Sequence, residues 1–160
     1  MGALNYSVDT EHHPISKLKQ IMLEQQEELV NLCTIVEYLR GFLYGEIDAS
    51  DTAKYEEKLS QFKELQQQRF QCIDGLINKN ILQMKKNQTD DKTVLVFGKE
   101  IRKLEAGLRT LMLFTADAVD MLKQGSTLNN RSEERIRYFD IRSVAIDVEN
   151  RLLLQKMTFI

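Results

Sequence analysis

Apolar side chains recur at alternating three- and four-residue steps through most of this chain. One series runs from Ile15 through Leu18, Met22, Gln25, Leu29, Leu32, Val36, Leu39 and Leu43. Another runs from Val94 through Phe97, Ile101, Leu104, Leu108, Leu111, Thr115, Ala118 and Leu122. That spacing draws a single stripe along one side of an α-helix. Stripes of this length are stable only when buried against other helices, so the expected fold is all-α: an antiparallel bundle of about four helices.

Helix breakers mark where the helices stop. The chain has one proline, Pro14, and seven glycines, and proline inside a helix costs about 3 kcal/mol. Residues 1–14 read as a flexible leader, and residues 15–160 as a single helical bundle. The helices are predicted at about 15–44, 51–86, 91–124 and 131–157. Ser16, Ser50 or Asp51, Asp90 or Asp91, and Ser132 are candidate N-caps, and Gly45 a candidate stop. The polar run Lys85–Asp91 and the Gly125–Asn130 segment are linkers by composition. Short connections make neighbours antiparallel, giving two helical hairpins. The stretch Thr93–Phe97 is rich in β-branched residues, but Val94 and Phe97 fall in phase with the helical stripe. Gly107, inside the third helix, is read as a close helix crossing. In the second helix, Gln66, Gln67, Gln68 and Arg69 interrupt the apolar stripe, and Gln25 does so in the first. Either the phase slips in the second helix there or that helix is partly exposed, and two antiparallel helices of this length could place both weak stretches away from the core.

The last helix differs from the others. At about 100° per residue, Ile136, Phe139, Ile146, Leu153 and Met157 share one side. Ile141, Val144, Ala145, Val148, Leu152 and Phe159 share the opposite side. Asp140, Asp147 and Arg151 fill one seam between the two, and Arg142, Glu149 and Lys156 the other. A surface helix ordinarily has one apolar side. A helix with two is either central in its own bundle or holds a partner. In the second case Ile141, Val144, Val148, Leu152 and Phe159 would receive an amphipathic helix of another protein.

Catalytic and metal chemistry find little support. The two histidines, His12 and His13, are adjacent in the leader. A ferritin-like di-metal site needs Glu-x-x-His on helices, and a histidine phosphotransfer bundle needs a histidine in mid-helix. Cys33 and Cys72 have no helical histidine to act as base and read as small apolar residues. They would face each other only if the first hairpin brought them together. Gly98 alone makes no phosphate loop. The expectation is a protein that is not an enzyme, with no metal and no cofactor.

Charge narrows the partner class. The net charge is -2, with 22 basic and 24 acidic residues, and the signs alternate along the chain. Even around Lys85, Lys99, Arg102 and Arg135 the bases are mixed with acids and lack interleaved aromatics, so nucleic acid is not expected. No run approaches the roughly 20 apolar residues of a membrane span, and no signal peptide is visible. A cytoplasmic protein without membrane insertion is expected.

The segment Leu23–Asp74 resembles the first hairpin of flagellar export chaperones of the FlgN type. The shared features are a leucine-striped helix, a Gly45-Glu46-Ile47-Asp48 turn, and a second helix whose leucine and glutamate pattern ends near Arg69. This covers about a third of the chain. The resemblance implies a small acidic cytoplasmic protein of the type III secretion system and the flagellum. Such a protein would hold secretion substrates through its C-terminal helix and keep them from assembling early. Residues Met157–Ile160 depart from the more polar, glycine-bearing tail of that family, so no binding residue is carried over from it. A second functional class fits the same stripes, a structural homo-oligomer in which coiled-coil helices pair between subunits.

Overall fold

The computed structural model describes residues 14–43, 52–87, 91–125, 128 and 130–158. They form four helices, α1 (Pro14–Leu43), α2 (Thr52–Asn87), α3 (Thr93–Lys123) and α4 (Asn130–Thr158), and no strand. The leader before Pro14, the Gly45 stop, the Ser50 or Asp51 cap and Phe159 lie outside the described residues. Pro14 occupies the first position of α1, where its missing N–H is not needed. The Thr93–Phe97 stretch is helical.

The direction of each helix follows from its cross-links. Arg40 of α1 pairs with Asp140 of α4 at 2.6 Å, and Asn150 of α4 donates to the Met22 carbonyl at 3.2 Å, so α1 and α4 are antiparallel. Lys123 of α3 reaches Glu56 of α2, and Arg102 reaches Asp74, so α2 and α3 are antiparallel. The result is an up-down-up-down bundle of rhomboid section. α3 packs against all three other helices, α2 and α4 occupy far corners without touching, and α1 barely meets α2.

The core is continuous along the axis and draws on all four helices. Within α2 the buried positions are Tyr55, Leu59, Phe62, Gln66, Arg69, Cys72, Ile73, Leu76, Ile77 and Asn80. Gln66 and Arg69 therefore do not interrupt the stripe. They continue its four-three phase with polar side chains, and Gln25 does the same in α1. Of the weak stretches, Gln25, Gln66 and Arg69 lie in the core, because all three bond to Glu105 of α3, whereas Gln67 is exposed and Gln68 half-buried.

Two details of α3 also depart from expectation. The N-cap position is Lys92, Asp90 lies outside the described residues, and Asp91 serves the helix end from one residue further out, its Oδ1 accepting from the Thr93 amide and hydroxyl at 3.1 and 2.7 Å. An amide of the first turn, that of Leu95, is satisfied from another helix, donating to Asn80 Oδ1 of α2 at 2.9 Å. Asn80 Nδ2 in turn donates to the Asp91 carbonyl, tying the start of α3 to α2. Ser132, expected as a cap, lies two residues inside α4 and is buried. At the other end of α3, Gly125 takes φ 78°, the left-handed turn that glycine accepts past a helix end.

The tightest crossing is at Gly98 rather than Gly107. A Cβ on Gly98 would stand 2.7 Å from Ile77 Cγ1, near the root of a branched side chain. One on Gly107 would stand 3.3 Å from Ile146 Cδ1, the free end of its chain. Overpacking costs about 1–3 kcal/mol, whereas replacing a helical glycine by alanine gains about 0.5–1 kcal/mol. Gly98→Ala is therefore expected to destabilise the fold, and Gly107→Ala to be neutral or mildly stabilising. Urea unfolding of the two variants checks this, and equal effects would contradict the difference in packing.

Candidate functional site

Two regions carry more than packing, the outward face of α4 and a polar layer at mid-bundle. On α4 the buried positions are Ser132, Ile136, Phe139, Ser143, Ile146, Asn150, Leu153 and Met157, in unbroken four-three alternation. That row faces the core. The opposite row is open: Ile141 is 71% exposed, Val144 64%, Val148 49% and Leu152 53%. Ala145 is half-buried. The chain's own helices do not cover this second face.

The two polar seams are placed by their contacts. Asp140 belongs to the α1 side through Arg40, which also contacts Glu37. Asp147 pairs with Arg151 along the helix at 3.0 Å. Arg142 lies on the α3 side, against Gly107. Four apolar residues thus stand between two charged borders, the layout of a coiled-coil seam.

Sequence reasoning missed a second apolar row. On α1, Leu23 is 58% and Val30 62% exposed. They fall at seven-residue steps with Glu37, which shares Arg40 with α4, so this row runs along the α4 side of α1. The signal in the sequence is that spacing, out of phase with the buried stripe. The cysteines are separate. Cys33 is half-buried with Asp140 and Asp147 nearby, Cys72 is buried on α2, and both are free thiols. Burial first, then the neighbouring aspartates, pushes the Cys33 thiol up from its ordinary value.

The mid-bundle layer centres on Arg69, whose side chain has no exposed surface. Its Nε donates to Glu105 Oε1 at 2.7 Å. Glu105, equally buried, accepts from Gln25 Nε2 on its other oxygen at 2.6 Å. Gln66 Nε2 donates to the Glu105 carbonyl at 3.3 Å. The Phe62 ring stands 5.6 Å from the guanidinium carbon, within cation–π range. The two terminal nitrogens of Arg69 have no hydrogen-bond acceptor. The Glu28 carboxylate is 3.5 Å from Nη1, an ion pair too long for a hydrogen bond.

Above this layer the loose contact between α1 and α2 leaves a cleft of about 170 Å³. Leu32, Ile35, Leu59 and Phe62 give it apolar walls, and Glu24, Glu27, Glu28 and Lys58 add charge. Burial pushes Glu24 up to about 7, with Arg69 opposing and Glu28, Glu105 and Glu27 adding to the rise. Glu28 and Glu105 are also raised, by burial first, while Arg69 pulls both back. The cluster can therefore hold and release a proton near neutral pH. Among the described residues no group of three or more metal-ligating side chains comes together.

No protein-family model, no curated protein and no solved structure matches this chain.

Removing one partner of a buried ion pair costs about 3–5 kcal/mol, whereas replacing both by apolar groups is often neutral. Arg69→Met is expected to cost roughly that much in urea unfolding, and Arg69→Met with Glu105→Leu to recover most of it. Additive losses would contradict the pairing. Protonation gives a second outcome. The folded-state value of Glu24 lies above its ordinary 4.5, so the fold prefers the neutral form. That contribution is complete below about 4.5 and is lost as pH rises through about 7. The urea midpoint is expected to fall between pH 5 and pH 7 and to level off by pH 8, with a shallower fall in Glu24→Gln. An unchanged slope in the variant would refute the assignment.

Proposed function

We propose that this chain is a non-enzymatic helical binding protein that holds an amphipathic helix of another protein against the outward face of α4. The observation that carries the reading is the exposure of Ile141, Val144, Val148 and Leu152 on one line, between charged borders. A row of apolar side chains at helical spacing receives another helix in the manner of a helix-in-groove or coiled-coil contact. Exposed apolar surface of this kind marks interaction sites on soluble proteins.

Magnitudes set the strength of the contact. From Ile141 to Leu152 the helix rises about 16 Å, three turns. Covering four side chains already half-buried or less returns roughly 5 kcal/mol at the usual value per area. Association itself costs about 4–15 kcal/mol in lost freedom. The stripe alone therefore supports only a reversible contact, and a tighter one needs the partner to reach Leu23 and Val30 on α1.

Reversible holding is what an export chaperone or adaptor requires, since its client must be released. The resemblance of Leu23–Asp74 to the first hairpin of FlgN-type chaperones agrees with this reading and favours a cytoplasmic protein serving flagellar or type III secretion. In the described residues no helix is long and apolar enough to cross a membrane.

The test is capture of a partner by the full chain and by a Val148→Glu, Leu152→Glu variant, with light scattering across a concentration series. Both positions are exposed, so the variant is expected to keep its unfolding free energy within about 0.5 kcal/mol. The expected result is a monomer that retains a partner, and a variant that does not. Recovery of the same partner by both forms contradicts the site. A stable dimer that the variant dissolves shows that a second copy covers the stripe, the structural homo-oligomer reading.

A further inference from the structure

The mid-bundle layer contains more carboxylates than it can neutralise. Among the described residues, Arg69 is the one cation at its centre. Its Nε is committed to Glu105, whose two oxygens already hold Arg69 and Gln25. That pair is balanced. Glu24 and Glu28, one turn apart on α1, add two further carboxylates on the same side, with Glu27 beside them. Lys58 of α2 is the other cation lining the cleft. The geometry is also unfinished. Arg69 Nη1 and Nη2 are fully buried without acceptors, and Glu24 Oε2 is buried without a donor. Glu28 Oε1 stops at 3.5 Å from Nη1, under one ångström beyond an ordinary charged hydrogen bond of about 2.8 Å. This mismatch falls at α1–α2, the least closely packed pair of neighbouring helices.

We infer that Glu24 is a proton-operated latch on the α1–α2 seam. With Glu24 neutral, Glu28 closes onto Arg69; with Glu24 charged, the crowded carboxylates hold the two helices apart. The reasoning is electrostatic. Like charges at an i, i+4 spacing repel, and they do so more strongly where burial lowers the effective dielectric. A proton on Glu24 removes that repulsion and supplies an O–H donor. Arg69 pulls the Glu28 carboxyl toward its charged form, against the burial that raises it. The charges acting on Glu24 come from three helices: Glu27 and Glu28 of α1, Arg69 of α2 and Glu105 of α3. Gln20 Nε2, a neutral donor, reaches Glu24 Oε1 at 3.4 Å. The elevated proton affinity of Glu24 places the switch near neutrality, with a midpoint of about 7.

Two measurements on the full chain test this. Carboxyl carbon NMR follows the titration of Glu24 directly, and a midpoint of 6 or above is expected. Hydrogen exchange, corrected for its intrinsic pH dependence, follows opening of the seam at residues 24–35 and 58–69. If opening releases one proton, protection falls about tenfold per pH unit between the ordinary value of 4.5 and the midpoint of about 7, and levels off above it. Protection at the α3–α4 contact, around Gly107 and Ile146, is expected to change less. In Glu24→Gln the seam is expected to stay protected up to pH 8.5. A Glu24 midpoint below 6, protection in the seam that does not respond to pH, or the same response in Glu24→Gln would each overturn the proposal. If Glu24→Gln does not fold, the two native-chain measurements still decide.

Discussion

A guanidinium with no water contact has to be neutralised by the side chains around it, and that requirement fixes three helices of this bundle in register. Arg69 on α2 needs Glu105 on α3, and Glu105 needs Gln25 on α1 to complete its acceptor set. A shift of α2 or α3 by a turn would leave a charge buried without a partner, at about 3–5 kcal/mol, and a shift of α1 would take the Gln25 donor away from Glu105. Apolar layers above and below tolerate sliding far better, because one leucine replaces another. The polar layer thus selects one alignment among several that the hydrophobic stripes alone would accept. It does so incompletely, since α1 approaches the layer without closing on it.

This arrangement leaves α4 with a different task. It contributes no charge to the layer and meets the bundle through a strictly alternating row that includes Ser143 and Asn150. Asn150 ties it to the Met22 carbonyl. Gly107 allows Ile146 to sit close to α3 without strain. One face suffices to hold the helix, so its second apolar face is spare. A helix anchored on one side and apolar on the other presents a rigid rail, and rigid elements present binding side chains with less entropy loss than loops.

The helices were legible because their stripes are long and in phase, even through the β-branched Thr93–Phe97 stretch. The polar layer was not, although its spacing is present in the chain. From Leu59 through Phe62, Gln66, Arg69 and Ile73 the four-three rhythm never breaks; only residue chemistry suggested an interruption. Polar residues in core phase on three helices signal a buried network, but a single helix read alone makes each of them look like a defect. Glu105 was missed for a related reason. It sits beside Leu104 in a stripe already complete without it, and nothing local marks it as the counter-ion of Arg69. The two faces of α4 were readable from phase, whereas which one the bundle would cover depended on how the other three helices closed. Leu23 and Val30 were marked only by a seven-residue spacing out of phase with the buried stripe, and such a pair on a polar flank acquires meaning only beside α4.

The account rests on the outward face of α4 being open to solvent in the isolated chain. Hydroxyl-radical footprinting of dilute, purified protein reads this residue by residue. Ile141, Val144, Val148 and Leu152 are expected to be modified readily, while Ile136, Phe139, Ile146 and Leu153 on the same helix are protected. Equal protection of both rows at every concentration would contradict it.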